Sequence, residues 1–137
     1  MSNPLFSYQA NLGMVRTTTG NTASDGSGPL DTTFTATGST GSRVDTILFR
    51  NSQVTYGAST ACVFRIFLTD TLGANPRLID EVALPAATRS ASAIGAATSV
   101  TFPGGLLMKP GQQIKTCQSV WNAASQTDII VKGAEVA

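Results

Sequence analysis

The stretch Ala61-Cys62-Val63-Phe64-Arg65-Ile66-Phe67-Leu68-Thr69 constrains this chain most, because Cys62, Phe64, Ile66 and Leu68 share a face only at a period of two. That period belongs to a β-strand, and the shared face belongs in a core. The opposite face carries Val63, Arg65 and Phe67, too apolar for open water. A second layer or a partner is expected over it, which makes these three residues candidate interface residues. Elsewhere, no segment holds apolar residues at helical spacing for the ~10 residues that a helix needs.

Further strands are expected at Phe6 to Arg16, Leu30 to Ala36, Arg43 to Arg50, Arg77 to Leu84, Ala97 to Met108, Gln112 to Val120 and Thr127 to Val136. The strand Ala97 to Met108 is interrupted by Pro103-Gly104-Gly105. Lys109-Pro110-Gly111-Gln112 places Pro and Gly in the central positions of a type II turn, because Pro presets φ and Gly tolerates positive φ. Short, evenly spaced strands with turns between them predict an all-β, eight-stranded antiparallel β-sandwich. A jelly roll is the leading topology and an immunoglobulin-like sandwich the alternative. Strand parity predicts burial of Phe64, Ile66, Leu68, Leu78, Val82, Leu84 and Ile114. No repeat or shift in composition divides the chain, so residues 1-137 read as one domain. Residues 1-6 form a possible extended arm, in which apolar Leu5 and Phe6 are further interface candidates.

Charged residues make up 12% of the chain, about half the usual share for a soluble domain, while 42% is hydrophobic. Thr, Ser, Asn, Gln and Gly replace the missing charges. Hydroxyls and amides desolvate at far lower cost than charges, so such a surface suits an assembly subunit. The net charge is +1 and the nine basic residues are scattered, which argues against a nucleic-acid partner. The start, Met1-Ser2-Asn3-Pro4-Leu5, lacks the pattern of a signal peptide, and no apolar run reaches about 18 residues. The expectation is a soluble protein made in the cytoplasm, with no membrane partner.

Catalytic chemistry has few candidates. The chain contains no histidine, which removes the usual general base, a common metal ligand and the ordinary partner of a nucleophilic Ser or Cys. Asp80 and Glu81 are adjacent, but neighbours in a strand point to opposite faces. Asp25 and Asp31 lie in or beside a Gly/Ser-rich loop without the spacing of a calcium loop. Gly104-Gly105 lacks the strand-to-helix setting of a phosphate loop. Cys62 and Cys117 have no zinc or redox spacing and read as buried thiols; a disulfide would need their Cα atoms within about 4.4 to 6.8 Å. The expectation is no enzyme, no catalytic or metal residues and no cofactor. Trp121 beside Asn122 is an interface candidate and could also stack on a sugar ring. Arg43 with Asp45, and Arg65 on its strand, are explained by cross-strand ion pairs.

Three segments resemble a known group. They are Gly41-Ser42-Arg43-Val44-Asp45-Thr46-Ile47, Arg77-Leu78-Ile79-Asp80-Glu81-Val82-Ala83-Leu84-Pro85-Ala86-Ala87-Thr88, and Gly105-Leu106-Leu107-Met108-Lys109-Pro110-Gly111-Gln112. In this order they resemble small tailed-phage virion proteins, and within that group the jelly-roll capsid cement, or decoration, proteins of short-tailed phages such as those of Bordetella. The resemblance implies a homo-oligomer, a dimer first and a trimer second, that binds the major capsid protein on the outer capsid surface of a virion and stabilises the shell. The motifs mark turns and core strands and carry over no catalytic residue. A second functional expectation is a tail-associated or host-recognition module that binds glycans through Trp121.

Overall fold

The computed structural model describes residues 10–37, 40–53 and 56–135. Ten strands follow one another: β1 (Ala10–Arg16), β2 (Asp31–Thr35), β3 (Ser42–Asn51), β4 (Gly57–Ala58), β5 (Cys62–Leu68), β6 (Arg77–Leu84), β7 (Thr88–Arg89), β8 (Ala97–Met108), β9 (Gln113–Gln118) and β10 (Thr127–Glu135). A 3-10 turn at Ala123–Ser125 precedes β10. The eight longer strands stand where the period-two pattern puts them. The two-residue strands β4 and β7 and the 3-10 turn are too short to produce a pattern. Leu5, Phe6 and the proposed arm lie outside the described residues.

The longer strands form two four-stranded antiparallel sheets, ordered β1-β10-β3-β8 and β2-β9-β5-β6, with β4 and β7 paired separately. The β-sandwich expected from the sequence is therefore present. Its pairing is nested: β1 lies on β10, β2 on β9, β3 on β8, β4 on β7 and β5 on β6. The chain is one long hairpin rolled into two layers, and the β10–β3 and β9–β5 ladders close the roll. An immunoglobulin-like sandwich keeps its first two strands in the same sheet. Here β1 and β2 lie in different sheets, so that alternative is set aside.

The fold-back sits at Asp70 to Asn75. The Asp70 carboxylate accepts hydrogen bonds from the Leu72 and Ala74 N–H groups and from Asn75 Nδ2, each at 2.9 Å. Gly73 and Asn75 take positive φ, conformations that Gly and Asn adopt at low cost. The Pro110-Gly111 turn has the expected form: Gln112 N–H donates to Lys109 O at 3.1 Å, and Gly111 has φ 92°. A Cβ on Gly111 would lie 2.1 Å from Thr71 O, so this turn is packed against the fold-back.

The inner faces meet in one core that includes Phe34, Val44, Ile47, Phe49, Phe64, Ile66, Ile114, Ile129 and Val131. At its centre the Phe49 ring of β3 tilts onto the Phe64 ring of β5, centroid to centroid 4.5 Å, and joins the interior strands of the two sheets. Of the residues expected inside, Phe64, Ile66, Leu84 and Ile114 are buried, while Leu68 and Val82 pack against the core half-buried. Leu78 is the exception, at 41% exposure. The ladder shifts from Ile66↔Asp80 to Phe67↔Leu78, leaving Ile79 as an extra residue. One extra residue reverses parity, so Leu78 joins the outer face.

Phe64→Ala should therefore cost about 3 to 5 kcal/mol, and Leu78→Ala less than about 1 kcal/mol, in denaturant melts. Equal losses would contradict the bulge and the face assignment.

Candidate interaction surface

The outer face of the β2-β9-β5-β6 sheet is covered by its own chain over β9 and β5, while Leu78 and Glu81 of β6 stay exposed. The segment between β1 and β2 crosses it. Gly20 bridges to Gln118, and Asn21 N–H donates to Gln118 O at 2.8 Å. Arg65 Nη1 reaches Thr22 O at 3.4 Å, Cys117 Sγ lies 3.9 Å from Ala23 O, and Gly26 lies against Pro76. Asn21 ties the segment together from within: its Nδ2 donates to Ser27 O and Pro29 O, and its Oδ1 accepts from Ala23 N–H.

This cover accounts for the apolar second face of β5. Phe67 is fully buried on that face, outside the central core, and offers nothing to a partner. That corrects its assignment as an interface residue: the second layer is intramolecular. Val63 is half-buried, and its N–H and C=O are both bonded to Ser119. Arg65 is paired across the ladder with Glu81 at 2.8 Å, its side chain only 19% exposed. Arg43 and Asp45, by contrast, pair along their own strand rather than across strands, at 2.8 Å.

Trp121 lies in the connection after β9, half-buried beside Gly20, and its indole N–H donates to Thr17 O at 3.1 Å. It anchors the start of the covering segment. Around it a neutral network fills this end of the sandwich. Gln118 Nε2 donates to Ser125 O at 2.7 Å, Thr127 N–H to Thr17 Oγ1 at 3.0 Å, and Asn51 Nδ2 to Ala124 O at 2.9 Å. Buried amides and hydroxyls bonded in this way fix the β9–β10 connection.

Both cysteines are free and buried. Gln118 pairs with Phe64 and donates to Cys62 Sγ on the core side, whereas Cys117 pairs with Arg65 on the covered outer side. The thiols occupy opposite faces of the sheet and cannot join in this fold. Burial raises the pKa of each, which keeps them protonated and slow to react. Thiol-reagent labelling at neutral pH should be slow for the native protein and fast for both residues in denaturant; rapid native labelling of either would contradict this placement.

No described segment crosses the outer face of β1-β10-β3-β8. Ladder register aligns Met14, Ile130 and Leu48 across three strands as an outward apolar row, with Met14 67% exposed. Beside it run Arg16, Asp128 and Arg50, in which Arg16 grips Asp128 through two hydrogen bonds of 2.7 and 3.2 Å. On the other side run Lys132, Thr46 and Thr101. An apolar strip between polar rows is the pattern of a docking surface. Ile47-Leu48-Phe49 and Ile129-Ile130-Val131 carry its signal in the sequence, since each is apolar on both faces. The interface candidates read from the sequence lie on or near the other sheet, or outside the described residues.

The Arg16 hydrogen bond holds Asp128 below the usual carboxylate range; the Ala74 N–H does the same for Asp70 and the Ser27 hydroxyl for Asp25. The stability these groups contribute is present above the ordinary carboxylate value of about 4 and is lost as pH falls through their lowered folded values. Asp31, raised by burial, works in the opposite direction: it costs stability when ionised, and that cost lifts as it protonates. For the Arg16–Asp128 pair this means that Tm should decline as pH falls below about 4, and Asp128→Asn should flatten part of the decline. An acid limb unchanged in Asp128→Asn would remove this pair from the account.

No protein-family model, no curated protein and no solved structure matches the chain, so the resemblance to phage virion proteins rests on its three segments alone.

Proposed function

We propose that this chain is a protein-binding structural subunit, and specifically a phage capsid cement protein that docks on the outer surface of a major capsid protein shell. The observation that carries the reading is the asymmetry of the two outer faces: the chain's own segment covers one over β9 and β5, and no described segment covers the Met14–Ile130–Leu48 row of the other. The nested hairpin supports the finer topology, since rolling four successive strand pairs into two sheets generates a jelly roll. The three segments that resemble virion proteins supply turns and bulges of this roll: Pro110-Gly111, the Ile79 bulge and the stretch opposite Asp45. A charge-poor subunit repeated over a lattice needs only a modest affinity per copy, because effective concentration multiplies it.

The glycan-binding alternative is weaker, because the Trp121 indole N–H is already bonded to Thr17 O and the ring is half-buried. Its test is a glycan array on which Trp121→Ala abolishes a signal.

The test of the main reading mixes purified protein with shells assembled without it and images the particles by cryo-electron microscopy. Ordered density on the outer surface and greater heat resistance are expected, with Leu48→Lys and Met14→Asp keeping their Tm and losing at least about tenfold in binding. Bare shells would overturn the reading.

A further inference from the structure

At one edge of the open face lies a cleft of about 310 Å³, lined by Arg50, Asn51, Tyr56, Arg89 and the loop 90–95. Arg50 is the ladder partner of Asp128, but both oxygens of that carboxylate are held by Arg16. Arg89 donates through Nη1 to Gln53 O at 3.3 Å. Among the described residues, neither guanidinium has a carboxylate within ion-pair distance, and no lining residue is acidic. Two cations therefore line the cleft without a counter-charge among the described residues.

The walls are held in place. Asn51 is buried and donates to Ala124 O and Gln126 O, and its own N–H bonds Ala96 O. Ser90 and Ala93 exchange backbone hydrogen bonds, and Ser92 N–H donates to Ser90 Oγ. At the mouth, Tyr56 is 65% and Ile94 79% exposed.

We propose that this cleft binds an acidic side chain on an extended segment of the protein partner, with Arg50 and Arg89 forking its carboxylate and Tyr56 and Ile94 covering its apolar neighbours. The inference rests on the protein-binding reading and names the partner's chemistry. A guanidinium pair matches a carboxylate in shape as well as charge. A branched aliphatic side chain as exposed as Ile94 gives nothing to a free phosphate or a sugar hydroxyl, but gains from an apolar protein side chain. The described chain supplies no such segment from its ends: Ala10 pairs with Gly133 and Glu135 with Ser42, at the end of β3 opposite Asn51. Those sites are about 20 to 30 Å from the cleft along the strand.

The experiment probes an array of 12-residue peptides, tiled from the shell protein and from unrelated virion proteins, with the full-length chain. Bound peptides should carry Asp or Glu. Binding should weaken with added salt and fall at least about tenfold in the double variant Arg50→Gln/Arg89→Gln, with partial recovery in Arg50→Lys/Arg89→Lys. An unchanged Tm in the double variant separates this from unfolding. Binding that ignores the arginines, bound peptides without carboxylates, full competition by inorganic phosphate, no peptide binding at all, or a homodimer that the double variant dissolves would each overturn the proposal. Shell binding by the double variant at wild-type strength would sink the cleft and spare the capsid reading. Acidic-peptide binding with bare shells would do the reverse.

Discussion

Every ladder in this molecule depends on the reversal at Asp70 to Asn75. Because the strands nest, each outer pair inherits its register from the pair inside it, and β1 meets β10 only when everything between has been rolled up. A slip of one residue at the tip would turn Phe64 and Ile66 outward and bring Arg65 in. Three hydrogen bonds to one carboxylate and a Gly73–Asn75 bend resist that slip. The Pro110-Gly111 turn, seated on Thr71 O, ties the next connection to the same point.

A roll of this kind accumulates mismatch, because inner and outer strands differ in length and twist. The mismatch is taken up locally. Register shifts occur at Asn11/Gly13, Thr32/Phe34, Val44/Thr46, Ile66/Phe67 and Lys132/Gly133. The widest lies opposite Asp45, where the Pro103-Gly104-Gly105 stretch lets β8 bow out under the Arg43–Asp45 pair. Glycine is required where two backbones close in: a Cβ on Gly133 would come 1.9 Å from Arg43 O. The bulges re-aim single residues without disturbing the Phe49–Phe64 contact at the centre.

The strands and the type II turn were legible in the sequence, because period-two burial and Pro-Gly chemistry are local properties. The sheet to which each strand belonged was not, since nesting relates residues as distant as Arg16 and Asp128. Leu78 was misplaced for a similar reason: a bulge at Ile79 shows itself only against a partner strand. The apolar outer face of β5 was read correctly as needing cover, but a covering segment and a partner protein leave the same mark on a strand. That segment is written in Gly, Ser, Thr and Asn, which look like loop in any setting, and its attachment to Cys117, Arg65 and Gln118 is a tertiary fact. Leu48 and Ile130 carried the same two-faced signal as Phe67, and for them no described segment supplies the cover.

That difference separates folding from association. Phe67 and Cys117 are buried at no cost in partner binding, because their cover arrives with the chain. Met14, Ile130 and Leu48 remain beside a guanidinium–carboxylate pair whose charges are already matched, so desolvating that row strands no lone ion at Asp128. Arg50 is the exception in the row. Its natural counter-ion is taken, and a partner that covered the apolar strip would leave it buried and unpaired unless the partner brought a carboxylate of its own. An uncompensated buried charge costs more than the burial of Leu48 and Ile130 returns, so under the proposed reading Arg50 would select among partners that the apolar strip alone would accept.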